Sequence, residues 1–292
     1  MPSDWTDLTV EDVQRLAWRG RVITDGPLNR TFAAALPGRD LFVRERLVHD
    51  DSYGQQFAGE RLLEPALADA LRVPRLLQVL SDAGRERFAL FEFVPGGAPV
   101  WTRTRLVELA AALALVHSRS GSGLGDLARE ASPLTPDAFL RRLLEEEIRR
   151  LPDGAPGELD LGPSSSLWGR LGVFEDEPIV LCHGDVHRHN FLTTAEGALA
   201  VVDWEAVRYR VAAADFNQMR HRWLDRQQWA WVRDAYLDAT GREASRFERQ
   251  VRVLRILWHL RTYNFHTRVL RAPEPAHAVH LRAARRLLNE AG

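Results

Sequence analysis

Two short apolar runs, each opening into a polar loop, constrain this chain more than any other part of it. Ile179 to Leu181 leads into Cys182-His183-Gly184-Asp185-Val186-His187-Arg188-His189-Asn190, after which Phe191-Leu192 resumes on the far side. Leu199 to Val202 then ends on Asp203-Trp204-Glu205. Runs of this length read as buried strands. Strands delivering their loops to one edge bring Asp185, Asn190 and Asp203 to a common rim. Those side chains offer a carboxylate base and hard oxygen ligands, the set that divalent-cation and phosphate chemistry requires.

The interval from Asp185 to Asn190 matches the Asp-x-x-x-x-Asn catalytic loop of protein kinases, and Asp203 stands where those enzymes carry a metal-binding aspartate. The fuller pattern, His183-Gly184-Asp185 with Asn190 and Asp203-Trp204-Glu205 in place of Asp-Phe-Gly, more closely resembles the aminoglycoside phosphotransferase, choline kinase and thiamine kinase superfamily of small-molecule kinases. The resemblance implies an α+β, bilobal protein-kinase-like fold. Its lobes would be a small antiparallel-sheet nucleotide-binding lobe over 1–94 and a larger, mainly helical catalytic lobe over 95–292. It also implies an ATP-dependent phosphotransferase using Mg2+, with Asp185 orienting or deprotonating an acceptor hydroxyl and Asn190 and Asp203 holding the metal.

Composition narrows the chemistry. A length of 292 residues accommodates a substantial core, and 45% hydrophobic with 27% charged residues describes an ordinary globular protein. A formal net charge of -1 argues against a bulk nucleic-acid binder. All 39 basic residues are arginine, so the phosphate-contacting lysine of a kinase is replaced by a cation that forks and stays charged. The lone Cys182 excludes an intramolecular disulfide, and its apolar setting reads as a small core residue. No apolar segment approaches membrane-spanning length and the first residues show no basic region followed by an apolar run, so the expectation is a cytoplasmic protein without membrane, nucleic-acid or protein partners.

Upstream of the loops, Asp4 to Arg19 reads as a helix capped at Thr9. Arg21–Ile23, Thr31–Ala35 and Leu41–Val43 follow as strands of an antiparallel meander. By resemblance, Gly26 and Asn29 belong to the phosphate-covering turn between the first two strands, and Arg44 holds the phosphates. Arg46, on the same face by strand alternation, is the second choice. Glu60, in an apolar-striped helix over 57–71 interrupted by Pro65, falls where the family places the carboxylate paired with that cation. Strands then end in Phe91-Glu92-Phe93-Val94-Pro95-Gly96-Gly97, whose Pro-Gly-Gly suits an interlobe hinge; Glu92, Phe93 and Val94 mark the adenine-binding neighbourhood.

The remainder reads as helical over 104–117, 136–151, 221–240, 244–271 and 276–290, with a long Pro/Gly/Ser loop over 152–166. His117 and Asp215 read as structural, Asp215 as a support of the catalytic loop. Acids on the 136–151 helix either solvate its surface or face a cationic substrate. Two other readings stay open. His183, Asp185, His187 and His189 could ligate zinc in a metal-dependent hydrolase, and the chain could be a non-catalytic kinase-like nucleotide-binding module. The acceptor is a small hydroxyl-bearing molecule, with aminoglycosides, choline, thiamine and sugars as candidates. Glu205 is either near the substrate or behind the metal.

Overall fold

The computed structural model describes residues 5–26, 29–36, 38–47, 57, 60–61, 63, 67, 71–127, 131–271 and 273–290. The chain forms two compact units, Met1–Trp101 with Arg188–Val207 and Thr102–His187 with Arg208–Gly292. The first unit thus takes in a segment far downstream of the expected boundary at residue 94. Strand pairing explains the return: β6 (Gly96–Gly97) pairs with β9 (Phe191–Thr194), β9 with β10 (Leu199–Val201), and Arg72 bridges Ala200.

The first unit is built on a five-stranded antiparallel sheet in the order β1-β2-β3-β5-β4. Its strands are β1 (Arg21–Asp25), β2 (Asn29–Leu36), β3 (Arg39–Arg46), β4 (Leu76–Asp82) and β5 (Arg85–Glu92). Helix α1 (Val10–Arg19) starts at the expected cap: Thr9 Oγ1 accepts the Asp12 N–H and Asp12 accepts the Thr9 N–H. The segment before it is a 3-10 turn over Trp5–Asp7, so the helix begins later than the sequence suggests. Val13 and Leu16 of α1 join Phe32, Leu41, Val43, Phe88 and Leu90 in one buried cluster. Each such side chain contributes about 1.5–3 kcal/mol on full burial, which fixes the register of β3. Alternation then sends Phe42 and Arg44 to the opposite face, where Phe57, Ala89 and Phe91 form a second cluster with Phe42, Leu76 and Val79. Residues 60–61, 63 and 67 are helical, and Pro65 lies outside the described residues.

The second unit combines α2 (Arg103–His117), α3 (Pro136–Arg149), α4 (Arg226–Thr240), α5 (Ala244–Arg268) and α6 (Glu274–Asn289) with a small sheet. That sheet has the order β7-β11-β8 and is made of β7 (Gly125–Asp126), β8 (Ile179–Cys182) and β11 (Arg208–Val211). Its core is aromatic: Phe216 lies 4.5 Å from Tyr236 and 5.1 Å from Phe247, ring centre to ring centre.

Three expectations need correction here. The 221–240 helix is two elements, a single turn over Met219–Arg222 and α4, because Asp225 caps α4 through a capping box with Gln228. The 152–166 loop is not a loose segment: it holds a helical turn over Ala155–Glu158 and buries Ala155, Leu159 and Leu161, and Trp168 Nε1 anchors it by donating to the Gly162 carbonyl at 2.8 Å. Of the acids on α3, Glu145 is exposed as a solvated face predicts, but Glu147 departs from both expectations. It is buried and held by Asn264 Nδ2 at 2.8 Å and Arg150 Nη1 at 3.1 Å.

Candidate active site

Strand β3 delivers Arg44 into the polar centre of the first unit. Its side chain is only 3% exposed. Nη1 donates to both Glu60 carboxylate oxygens at 2.9 and 3.1 Å, and Nη2 donates to Asp203 Oδ1 at 2.6 Å. The Glu205 carboxylate lies 3.9 Å from Nη1 and accepts a 2.7 Å hydrogen bond from Asn29 Nδ2. Phe91 backs the guanidinium, its ring centre 5.4 Å from Cζ. Asn29, Arg44, Glu60 and Asp203 are therefore brought together, and Glu205, for which the sequence left two roles open, joins them. Asn29 Oδ1 is buried without a hydrogen-bond partner.

Three carboxylates around one guanidinium leave an excess of negative charge, and the ionisations respond. Burial by itself would lower the Arg44 guanidinium, but Glu60, Asp203 and Glu205 outweigh it and the group is raised. Burial pushes the Glu60 carboxyl up to about 7, helped by the Asp203 charge and opposed by Arg44. Asp203 itself is 39% exposed, so the cluster has a buried cationic end and an accessible acidic end.

Asp203 also carries backbone strain. Its φ of 63° is left-handed, a conformation that aspartate tolerates better than most residues. The loop is pinned on both sides: Val202 donates to the Asn190 carbonyl at 2.9 Å, and Trp204 Nε1 to the Val201 carbonyl at 3.0 Å. Asn190 is buried. Gly26 closes its turn by donating to the Asn29 carbonyl at 3.0 Å, while Pro27 and Leu28 lie outside the described residues. Of the three hinge residues, Glu92 and Phe93 spend their N–H groups on the Arg75 and Asp40 carbonyls at 2.9 and 3.3 Å. The Val94 N–H has no backbone acceptor among the described residues.

In the second unit, the loop after β8 is shaped by Asp215. Its buried carboxylate accepts the His183 and Gly184 N–H groups, each at 2.8 Å, and lies 3.0 Å from His117 Nε2. His117 Nδ1 reaches the Tyr236 hydroxyl at 2.8 Å. Burial would raise Asp215, yet the hydrogen bond and charge of His117, the His183 charge and the Gly184 amide hold it below the usual carboxylate range. Gly184 has φ 86°, a conformation that glycine supplies at no steric cost. Beyond that turn the Asp185 N–H donates to His183 Nδ1 at 3.2 Å, and Gln218 Nε2 donates to Asp185 Oδ1 at 3.4 Å. Gln218 was not legible as a site residue, since no periodicity marks it.

The zinc reading of the histidines is not favoured. Among the described residues, His183, Asp185, His187 and His189 do not converge as a ligand set; the group that does is His117, Cys182 and Asp215. That group is already satisfied by hydrogen bonds. His117 and Asp215 are engaged as above, and the Cys182 thiol lies 3.6 Å from the Val211 carbonyl and 3.7 Å from that of Val180. Burial, then the Asp215 charge, holds that thiol well above its ordinary range, which leaves it protonated and a poor ligand.

Comparison with known proteins agrees with this geometry. Residues 19–254 match the model of the family described as "Phosphotransferase enzyme family". No curated protein matches the chain. Among solved structures, it is similar to the macrolide 2'-phosphotransferase MphH from Brachybacterium faecium, with 18% identity, 97% of this chain and 99% of that one covered, and a TM-score of 0.61. The aminoglycoside phosphotransferase APH(4)-Ia gives 16% identity, 97% and 100% coverage and a TM-score of 0.67. A putative fructosamine-3-kinase from Haemophilus somnus 129PT gives 14%, 92% and 90%, and 0.65. At these identities the likeness establishes the fold, which is the α+β fold of kinase-like phosphotransferases. The family match spans most of the chain, and by it this protein belongs to the phosphotransferase enzyme family.

Proposed function

We propose that the chain transfers the γ-phosphoryl group of ATP to a hydroxyl of a small molecule. The observation that carries this reading is the Arg44 cluster, in which a buried, forked cation is oriented by Glu60 and Asp203 in the manner a phosphate clamp requires. The fold is shared with an APH(4)-Ia structure that holds AMP-PNP and hygromycin B.

In this reading Arg44 binds phosphate oxygens, the turn of Gly26 and Asn29 covers them, and the hinge from Glu92 to Val94 receives the base, with the Val94 N–H, which has no backbone acceptor among the described residues, as its donor. Asp185 orients the acceptor hydroxyl and takes its proton as the oxygen attacks phosphorus. Positioning and charge stabilisation supply most of the acceleration. The acidic excess around Arg44, the accessible Asp203 carboxylate and the Asn190 amide fit Mg2+, which Asn190 and Asp203 would hold and which would neutralise phosphate charge. Such a reaction suits the cytoplasm, where ATP is supplied. Among the described residues no helix is long and apolar enough to cross a membrane.

The test is ATP consumption, with and without magnesium, across amino sugars, aminoglycosides, choline, thiamine, homoserine and hexoses. Magnesium-dependent, acceptor-dependent ADP release supports the proposal. Stoichiometric tightly bound zinc with no nucleotide binding would overturn it.

A further inference from the structure

The second unit contains a cavity of about 70 Å³ walled by apolar side chains of α3 and α5, into which Arg210, Asn217 and Arg261 reach. That volume is far below the about 300–1,000 Å³ of a whole small-molecule site, so it suits one head-group of a ligand whose body lies outside.

Arg44, Arg87, Arg150 and Arg233 all sit on carboxylates, whereas neither Arg210 nor Arg261 has a carboxylate partner among the described residues. Burial, then the like charges of Arg208 and Arg261, pushes the Arg210 guanidinium well below its ordinary range, against a smaller opposing pull from the Asp215 charge. A half-buried guanidinium crowded by like charge favours a closely placed counter-charge. Asn217 adds an Oδ1 that is buried with no hydrogen-bond partner. Two acids of α3, Glu146 and Glu147, are paired with Arg150.

Neighbouring residues link the cavity wall to Asp185. Asn217 adjoins Gln218, which donates to Asp185 and accepts from Arg222 Nη1 at 3.0 Å. Arg222 stacks on Trp258, with Cζ 5.4 Å from the ring centre, and Trp258 is part of the cavity wall.

Resting on the phosphotransferase reading above, we propose that the acceptor bears an oxyanion, a carboxylate or a phosphate, which Arg210 and Arg261 hold while its hydroxyl is presented to Asp185. Guanidinium forks match either group bidentately. Cationic acceptors such as aminoglycosides, choline or thiamine would meet like charge here.

The experiment is calorimetric titration at neutral pH, with magnesium-AMP-PNP saturating, of four ligands on one small skeleton: glycerate, glycerol 3-phosphate, glycerol and 3-amino-1,2-propanediol. At least one of the two anions is expected to bind tenfold or more tighter than both the neutral and the cationic ligand, and the better anion identifies the group. The preference is expected to fall below threefold in Arg261→Gln, a substitution at an exposed rim position that leaves the fold intact, and in Arg210→Gln. An anion preference that is absent in the wild type, or that persists in both variants, overturns the proposal. Wild-type protein that binds AMP-PNP without preferring anions sinks this inference alone. Protein that does not bind AMP-PNP sinks the phosphotransferase reading as well.

Discussion

Arg44 is the side chain on which the first unit's polar centre depends, because it donates three hydrogen bonds to two carboxylates at once. Arg44→Lys keeps the charge but loses the fork. Nucleotide affinity is expected to drop at least tenfold, with a stability loss of about 2–3 kcal/mol from the unpaired buried oxygens of Glu60, both measurable by titration and urea unfolding. Glu60 adds a pH dependence with a definite sign. Its ordinary value is 4.5 and its folded value about 7, so between those limits the folded chain holds a proton that the unfolded chain has released. Its contribution is full below pH 4.5 and is lost as pH rises through 7. Wild type should therefore lose roughly 1–3 kcal/mol more than Glu60→Gln over that window, read from urea midpoints at pH 4.5 and 7; parallel curves would remove this assignment. The Arg44–Glu60 pair was legible because strand and helix patterns put the two residues where a known family pairs them. The Asn29–Glu205 bond was not, since it joins residues 176 apart and no local pattern encodes such a contact.

At the scale of elements, the loop after β8 owes its shape to Asp215, which lies on a separate 3-10 turn over Ala212–Phe216. Asp215→Ala strands two loop amides and frees His117. The expected result is a fall of 100-fold or more in kcat with magnesium-AMP-PNP affinity changed less than threefold, because the residues proposed to bind the nucleotide belong to the other unit. A matching loss of nucleotide binding would contradict that division. Capping offers a milder test: Asp225→Ala at the start of α4 should cost about 1 kcal/mol without altering nucleotide binding. The Asp-x-x-Gln signature at 225–228 was present in the sequence, but apolar residues on either side suggested one unbroken helix. The 152–166 segment misled for a related reason. Proline, glycine and serine mark turns, while the leucines that bury it, Leu159 and Leu161, are too few to make a period.

For the whole molecule, fold class was the most legible property, since ordered strands, a Pro-Gly-Gly break and two spaced loops suffice to specify a kinase-like chain. The assignment of residues 188–207 to the first unit was not, because it depends on β9 pairing with β6 and β10 across the sequence. Arginine takes every place that lysine could have held, both at the proposed phosphate clamp of one unit and at the proposed oxyanion cavity of the other. Phosphate transfer itself is tested most directly by comparing wild type with Asp185→Ala for magnesium-dependent transfer of the γ-phosphate of labelled ATP to a hydroxyl acceptor, with AMP-PNP affinity measured on the same samples. A loss of transfer of at least a thousandfold with affinity retained within threefold is the predicted result. Undiminished turnover in Asp185→Ala would contradict it.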